Sequence, residues 1–297
     1  MLGPLCVGMT TWRVEDWAEG DTAPDIWDLV RSRLSRTVRE SRGRVVVADS
    51  KKLKRSGANP LLHLERGVLS CLHGVLGAPR TDAALFGALG IEVESHPWYR
   101  AEHAIPVDND ETTIELDANA TGLAMRRAGV TVTDARCVSI GESAFNELLD
   151  RFGTKSACTA HALGILLRRA MSSSYPVRII CDGQGGRHAY MDLLEAARPG
   201  HDIRVLEESN RRSRYAVDAN AVVMFMPEAE EAHFPVAIAS MIAKYCRELM
   251  MRRFNAYWGE RIECRPTAGY VQDARRWLED VGPVLTDAER TTMVRRM

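Results

Sequence analysis

The chain of 297 residues predicts an α/β fold, a mixed sheet flanked by helices with a helical C-terminal region. Two observations carry this. Apolar runs of strand length, bounded by turn residues, are interleaved with longer stretches of helical period. From about residue 238 the helical period takes over, with Ile238, Met241, Ile242, Tyr245 and Leu249 on one face.

In order along the chain, residues 5–14 read as a strand and 26–38 as an amphipathic helix. Residues 44–49 form a short buried strand closing on Asp49, followed by the basic loop Lys51-Lys52-Leu53-Lys54-Arg55. Residues 59–76 are helical, entered at Pro60. The pattern weakens afterwards, and the stretch near 89–130 reads as an irregular insertion carrying His96-Pro97-Trp98-Tyr99. Residues 130–133 and 136–140 are strand candidates, and 145–151 and 157–171 are helical. Residues 177–181 and 203–207 are strands, and 222–227 is an edge-like strand ending at Pro227. Helices over 238–258 and 272–281 and a short tail after Thr286 complete the chain. Nothing between the ends resembles a linker, so 1–297 is expected as one domain with a C-terminal helical extension from about 238.

The composition is that of a globular protein, 45% hydrophobic and 27% charged. A net charge of -1 argues against a wholesale polyanion binder, but Lys51-Lys52, Arg211-Arg212-Ser213-Arg214, Arg252-Arg253 and Arg275-Arg276 are local basic clusters. They form a nucleic-acid face only if they share one side; otherwise they are solvated surface charge. Seven cysteines lack a Cys-x-x-Cys pair, and Cys71, Cys158, Cys181 and Cys246 sit in apolar contexts as small core residues. With no secretory h-region and no membrane-spanning apolar run, a reducing cytoplasm is the expected compartment.

Four places carry candidate chemistry. The apolar strand 177–181 delivers Asp182 to a sheet end, and Gly183 lets the chain turn; the competing assignment is a turn-forming Asp-Gly. Glu231 precedes a helix entered through Pro235, where a negative charge is favoured, and Ala237, Ala239, Ser240 and Ala243 keep that helix small-sided. Alone, Glu231 is an acidic flank on a buried helix. Asp49-Ser50-Lys51-Lys52 offers a hydroxyl and two ammonium groups that suit a phosphate, against a solvated basic turn. Gly269-Tyr270 presents a ring from a permissive backbone, for nucleotide stacking or for capping the core. The glycine loop from Asp182 to His188 lacks Gly-x-Gly-x-x-Gly spacing and is a weak phosphate cradle.

Taken in order, Asp49-Ser50-Lys51-Lys52-Leu53, the strand closing on Asp182-Gly183, the segment from Glu231 to Lys244 and Gly269-Tyr270 resemble the motifs of type 2 ribonucleases H. The resemblance spans most of the chain. It implies a ribonuclease-H-like core and an endonuclease that cuts the RNA strand of RNA–DNA hybrids with divalent metal, Mg2+ or Mn2+. Such chemistry draws carboxylates around two cations about 3.5–4 Å apart. The resemblance assigns Asp182 and Glu231 as catalytic metal ligands, Ser50 and Lys51 to the substrate backbone, and Tyr270 to the sugar at an RNA–DNA junction. The implied partner is an RNA–DNA hybrid or ribonucleotide-containing duplex DNA, met by a monomer away from membranes.

Three departures qualify the match. The family has Asp where this chain has Glu231, and Glu228 and Glu230 are nearby competitors. The loop after Asp182 and its long separation from Glu231 point to a divergent subfamily. The family also begins on a strand bearing an Asp-Glu pair, whereas Gly3-Pro4-Leu5-Cys6-Val7-Gly8 resembles its second strand, and Glu15 and Asp16 lie beyond that. The expectation is therefore an in-frame upstream strand ending in Asp-Glu, and, for the 297 residues, a sheet with an unfilled central position and half a metal site. The alternative is a non-catalytic nucleic-acid-binding relic of the same fold.

Overall fold

The computed structural model describes residues 1–15, 17–18, 21–53 and 57–296, so Asp16 and, in the basic loop, Lys54 and Arg55 lie outside the description. Strand β1 (Leu5–Val14) is entered through Gly3 at a left-handed φ of 80°. Asp25 caps helix α1 (Ile26–Leu29) by accepting from the Trp27 N–H at 3.0 Å. The helix expected over 26–38 stops there because its later carbonyls are taken. The Arg44 guanidinium donates to the Arg31 and Leu34 oxygens at 2.8 and 3.2 Å, and the Val45 N–H donates to the Arg33 oxygen at 3.0 Å. The chain instead forms a short parallel pair, β2 (Leu34–Ser35) with β3 (Val45–Val46).

Helix α2 (Ser50–Leu53) follows Asp49, and the helix expected over 59–76 breaks at Leu72 into α3 (Leu62–Cys71) and α4 (His73–Leu76). Helix α5 (Asp82–Leu89) is capped by Thr81 and closed by Gly90 in the left-handed conformation. Its centre, Ala83-Ala84-Leu85-Phe86, is apolar on every side and so carries no helical period. The insertion near 89–130 is not irregular throughout, since α6 (Glu111–Arg127) occupies its second half behind an Asp110 cap. The part before α6 is pinned by the fully buried Glu65 carboxylate, which accepts the N–H groups of Val107, Asp108 and Asn109 at 2.6, 2.9 and 3.0 Å. Strand β4 (Val130–Ile140) fuses the two strands expected at 130–133 and 136–140, and pairs antiparallel with β1 from Val14–Val130 to Leu5–Ile140.

Helices α7 (Glu142–Phe152) and α8 (Lys155–Ala170) lead to a second sheet. Its strands are β5 (Val177–Asp182), then, after helix α9 (Met191–Ala197), β6 (Ile203–Glu208), β7 (Ser213–Val217) and β8 (Ala221–Met226). The order is β5-β8-β7-β6, with β5 and β8 parallel and the other pairs antiparallel, so the sheet is mixed. Strand β8, expected at an edge, is interior. Pro227 lies just past its last residue and removes no ladder hydrogen bond, while Val223 and Phe225 are buried.

The remaining elements are α10 (Ala229–Ala232), α11 (Phe234–Gly259), α12 (Val271–Val281) and α13 (Asp287–Met293), the last opened by a Thr286–Glu289 capping box. Pro235 sits in the first turn of α11, where no N–H is lost. The face read from the sequence is fully buried: Ile238, Met241, Ile242, Tyr245 and Leu249 all have no exposure. Each such side chain contributes about 1.5–3 kcal/mol of burial. Strand β1 lies directly on α11, since a Cβ on Gly8 would come 2.2 Å from the Ala239 carbonyl oxygen. All seven cysteines are free thiols, and Cys71, Cys158, Cys181 and Cys246 are buried. Among the described residues no helix is long and apolar enough to cross a membrane.

Candidate functional site

A groove of about 1540 Å³ runs between β1 and β5, with α8 and α11 along its sides. Of the sequence-derived candidates, Ser50, Lys51, Asp182 and Tyr270 all line it. Glu231 does not.

Asp182 ends β5 and is exposed, its Oδ1 accepting the Ala229 N–H at 3.1 Å. Gly183 follows in close quarters: its N–H donates to the Met226 oxygen at 2.8 Å, and a Cβ there would lie 3.3 Å from the Met226 carbonyl carbon. The carboxylate that joins Asp182 is Glu230. One residue along the short helix α10 rotates the side chain by about 100°, so Glu230 turns inward to the groove while Glu231 turns to solvent. Glu230 is 8% exposed, and its Oε2 is buried with no hydrogen-bond partner among the described residues. Burial pushes its carboxyl above the usual range, and the negative charges of Asp182 and Asp49 push it further. Glu231 instead forms an ion pair with Lys52, and its main-chain oxygen accepts from Arg36 at 3.3 Å. The assignment of Glu231 as partner of Asp182 thus shifts by one residue to Glu230 in the geometry.

Ser50 is buried at the start of α2, its Oγ 2.9 Å from the Ser240 Oγ on α11. Lys51 projects beside it, its N–H donating to Asp49 Oδ1 at 2.9 Å. Tyr270 is set at the N-terminus of α12 by Gly269, where φ is 76° and a Cβ would lie 2.5 Å from the Leu2 carbonyl oxygen. Its hydroxyl accepts from Lys244, and the Lys244 ammonium and Arg247 guanidinium lie 4.6 and 4.3 Å from its ring centroid. Lys244 and Arg247 were missing from the sequence candidates. Lys244 follows Ser240 by four residues on α11, and that spacing was the available signal.

The groove therefore carries two adjoining carboxylates at one place and hydroxyl, ammonium, guanidinium and phenol groups elsewhere along its lining. Oxygen donors of this kind suit Mg2+ or Mn2+, and the orphaned Glu230 Oε2 is the atom a cation would satisfy. Among the described residues no group of three or more His, Cys, Asp or Glu side chains could hold a metal ion. One arginine of each of the other basic clusters is engaged in an ion pair. Arg212 pairs with Glu207, Arg253 with Asp82 in the interior, and Arg276 with Asp273 and Asp280. Comparison of the chain with protein-family models, with curated proteins and with solved structures finds no match.

Proposed function

We propose that this chain is a divalent-metal endonuclease with a ribonuclease-H-like core, acting on the RNA strand of RNA–DNA hybrids. The observation that carries the proposal is the meeting of Asp182 and the buried Glu230 carboxylate, whose Oε2 has no hydrogen-bond partner among the described residues, on a groove also lined by Ser50, Lys51 and Tyr270. Asp182 and Glu230 would hold Mg2+ or Mn2+, whose chemistry is to stabilise negative charge on a phosphodiester under attack. Ser50 and Lys51 bind a backbone phosphate, Lys51 supplying charge and Ser50 a fixed hydroxyl backed by Ser240. Tyr270, held by the Lys244 and Arg247 cations, offers its ring to a sugar or base at the scissile position.

A second reading is favoured by one observation, the absence among the described residues of a full metal-ligand group. On that reading the groove binds hybrid without cutting it. A cleavage assay on labelled RNA–DNA hybrid with Mg2+ or Mn2+ separates the two. The nuclease reading expects cut RNA from the wild type, none from Asp182→Asn or Glu230→Gln, and hybrid affinity within about threefold of wild type in both variants. Tight, strongly salt-dependent hybrid binding without product under either metal favours the binding reading instead. Turnover unchanged by Asp182→Asn rejects the metal-site assignment.

A further inference from the structure

Much of the long separation between Asp182 and Glu231 is helix α9 and the hairpin β6–β7, which widens the second sheet past β5 and β8. One face of that sheet is closed by α8 and α9, where Cys181, Tyr215, Val223 and Phe225 share a core with Leu167 and Leu194. The strand register sets the other face. Directly paired residues point the same way, so Arg178 on β5, Val222 on β8, Ala216 on β7 and Arg204 on β6 form one row. Ile180, Met224, Arg214 and Glu207 form the next. Asp182, two residues past Ile180 on β5, stands on this same face. Ile180, Val222, Met224 and Met226 are half-buried there, and among the described residues they join no hydrophobic core. Apolar side chains gathered on a sheet face with no core behind them mark a surface that meets a partner.

We propose that this face carries the nucleic-acid duplex onward from the groove, with Arg178, Arg214 and Arg204 holding its phosphates. The inference rests on the nuclease reading for its partner and deepens it by naming a second stretch of contact. Charge argues for that partner. Arg214 makes no side-chain hydrogen bond or ion pair among the described residues. Arg178 lies 4.8 Å from the Trp17 ring centroid and donates to the Asp21 main-chain oxygen at 3.1 Å, contacts that leave its charge available. Arg204 is 3.5 Å from Asp202, but both side chains are well exposed, and so open a pair contributes little against a phosphate. Glu207, the acid opposite Arg214, is already held by Arg212 at 2.8 Å. The spacing agrees as well. Three strand intervals separate Arg178 from Arg204, about 14 Å at the ordinary spacing of paired strands, and Arg214 lies between them. A nucleic-acid duplex carries one phosphate charge about every 1.7 Å of its axis, so that span faces about eight of them. Val222, Ala216 and Met224 fill the intervals between the cations and offer apolar contact to the sugars. The duplex thus meets the carboxylates at Asp182 and continues across β8, β7 and β6.

The test measures binding of a fluorescent RNA–DNA hybrid to the full chain over a range of salt, without added metal so that nothing is cut. Arg204→Ser/Arg214→Ser is compared with wild type and with Arg126→Ser/Arg127→Ser, which removes equal charge from the exposed end of α6. Losing two phosphate contacts should flatten the slope of log affinity against log salt by about 2 and weaken binding at least about tenfold near 0.1 M salt. The urea midpoint should stay put, and the α6 variant should keep the wild-type slope. Arg204→Ser alone, at an exposed edge position, should flatten the slope by about 1 and so gives the same reading without touching the sheet interior. A wild-type slope in the Arg204 and Arg214 variants, or an equal loss in the α6 variant, overturns the face and leaves the groove reading standing. No hybrid binding by the wild type overturns both. Concentration-dependent dimerisation of the wild type that the Arg204 and Arg214 substitutions abolish makes a second copy the occupant, and overturns the proposal too.

Discussion

Replacing Gly8 by Ala tests the contact that sets one side of the groove. Its Cβ would lie 2.2 Å from the Ala239 oxygen and 3.0 Å from the Ala239 carbon, and both are main-chain atoms that cannot rotate aside. Strand β1 must then lift from α11 by more than an ångström, which strains the Thr10–Pro235 hydrogen bond and the edge contact of Trp12 with Phe234 at 5.1 Å. Overpacking of this kind costs about 1–3 kcal/mol, and the threatened hydrogen bond about 1 kcal/mol. Against this, Ala loses less backbone entropy on folding than Gly, worth about 0.5–1 kcal/mol. The net expectation is a loss of about 1–3 kcal/mol, read as a lower urea midpoint at unchanged slope. Gly87 is the internal control: it sits in α5 with nothing within 4 Å of a Cβ, so Gly87→Ala should gain up to about 1 kcal/mol. If Gly8→Ala proves as stable as wild type, or moves in the same direction as Gly87→Ala, the packing of β1 on α11 argued above is wrong.

Two other perturbations follow from buried charge. Arg253 is 3% exposed and donates to both oxygens of the fully buried Asp82 and to the Tyr99 oxygen at 2.6 Å. Arg253→Met should therefore cost about 3–5 kcal/mol in urea unfolding by leaving Asp82 uncompensated, and a loss below about 1 kcal/mol would refute that role. Glu230 runs the other way. Its carboxyl is raised in the folded state by burial and by Asp182, so its protonated form favours folding, and that contribution is lost as pH rises from the unfolded carboxylate value through the raised folded one. Glu230→Gln should gain on wild type across that window and hold the gain above it; parallel stability–pH curves would count against it. Millimolar Mn2+ should raise the melting temperature of wild type and leave Glu230→Gln unmoved, whereas equal shifts would detach metal binding from Glu230.

What the sequence disclosed divides along physical lines. Strand β5 and the long helix α11 were legible because an apolar run and an apolar helical face are consequences of burial on known sides. Helix α5 was not, being apolar all round, and α6 was hidden because most of its surface meets solvent and little amphipathic contrast remains. The false helix over 26–38 had the right period, but the Arg44 guanidinium claims the carbonyls it needed, a contact no local pattern contains. At the site, Ser50, Lys51, Asp182 and Tyr270 were found from motif and turn chemistry and do share one groove. The choice between Glu230 and Glu231 turned on the rotation of a four-residue helix about its axis. Adjacent acidic residues in so short an element give no periodicity from which to read it.

Asp182 and Glu230 adjoin at the end of β5, yet they meet their surroundings differently. Asp182 is exposed, so solvent screens its charge, while Glu230 is 8% exposed and lies in the interior. Burial and the neighbouring Asp182 charge together raise the proton affinity of Glu230. The enclosed acid is thus the one whose charge is disfavoured, and Glu230→Gln, rather than a substitution at the exposed Asp182, is the variant that reads what the pair costs the fold.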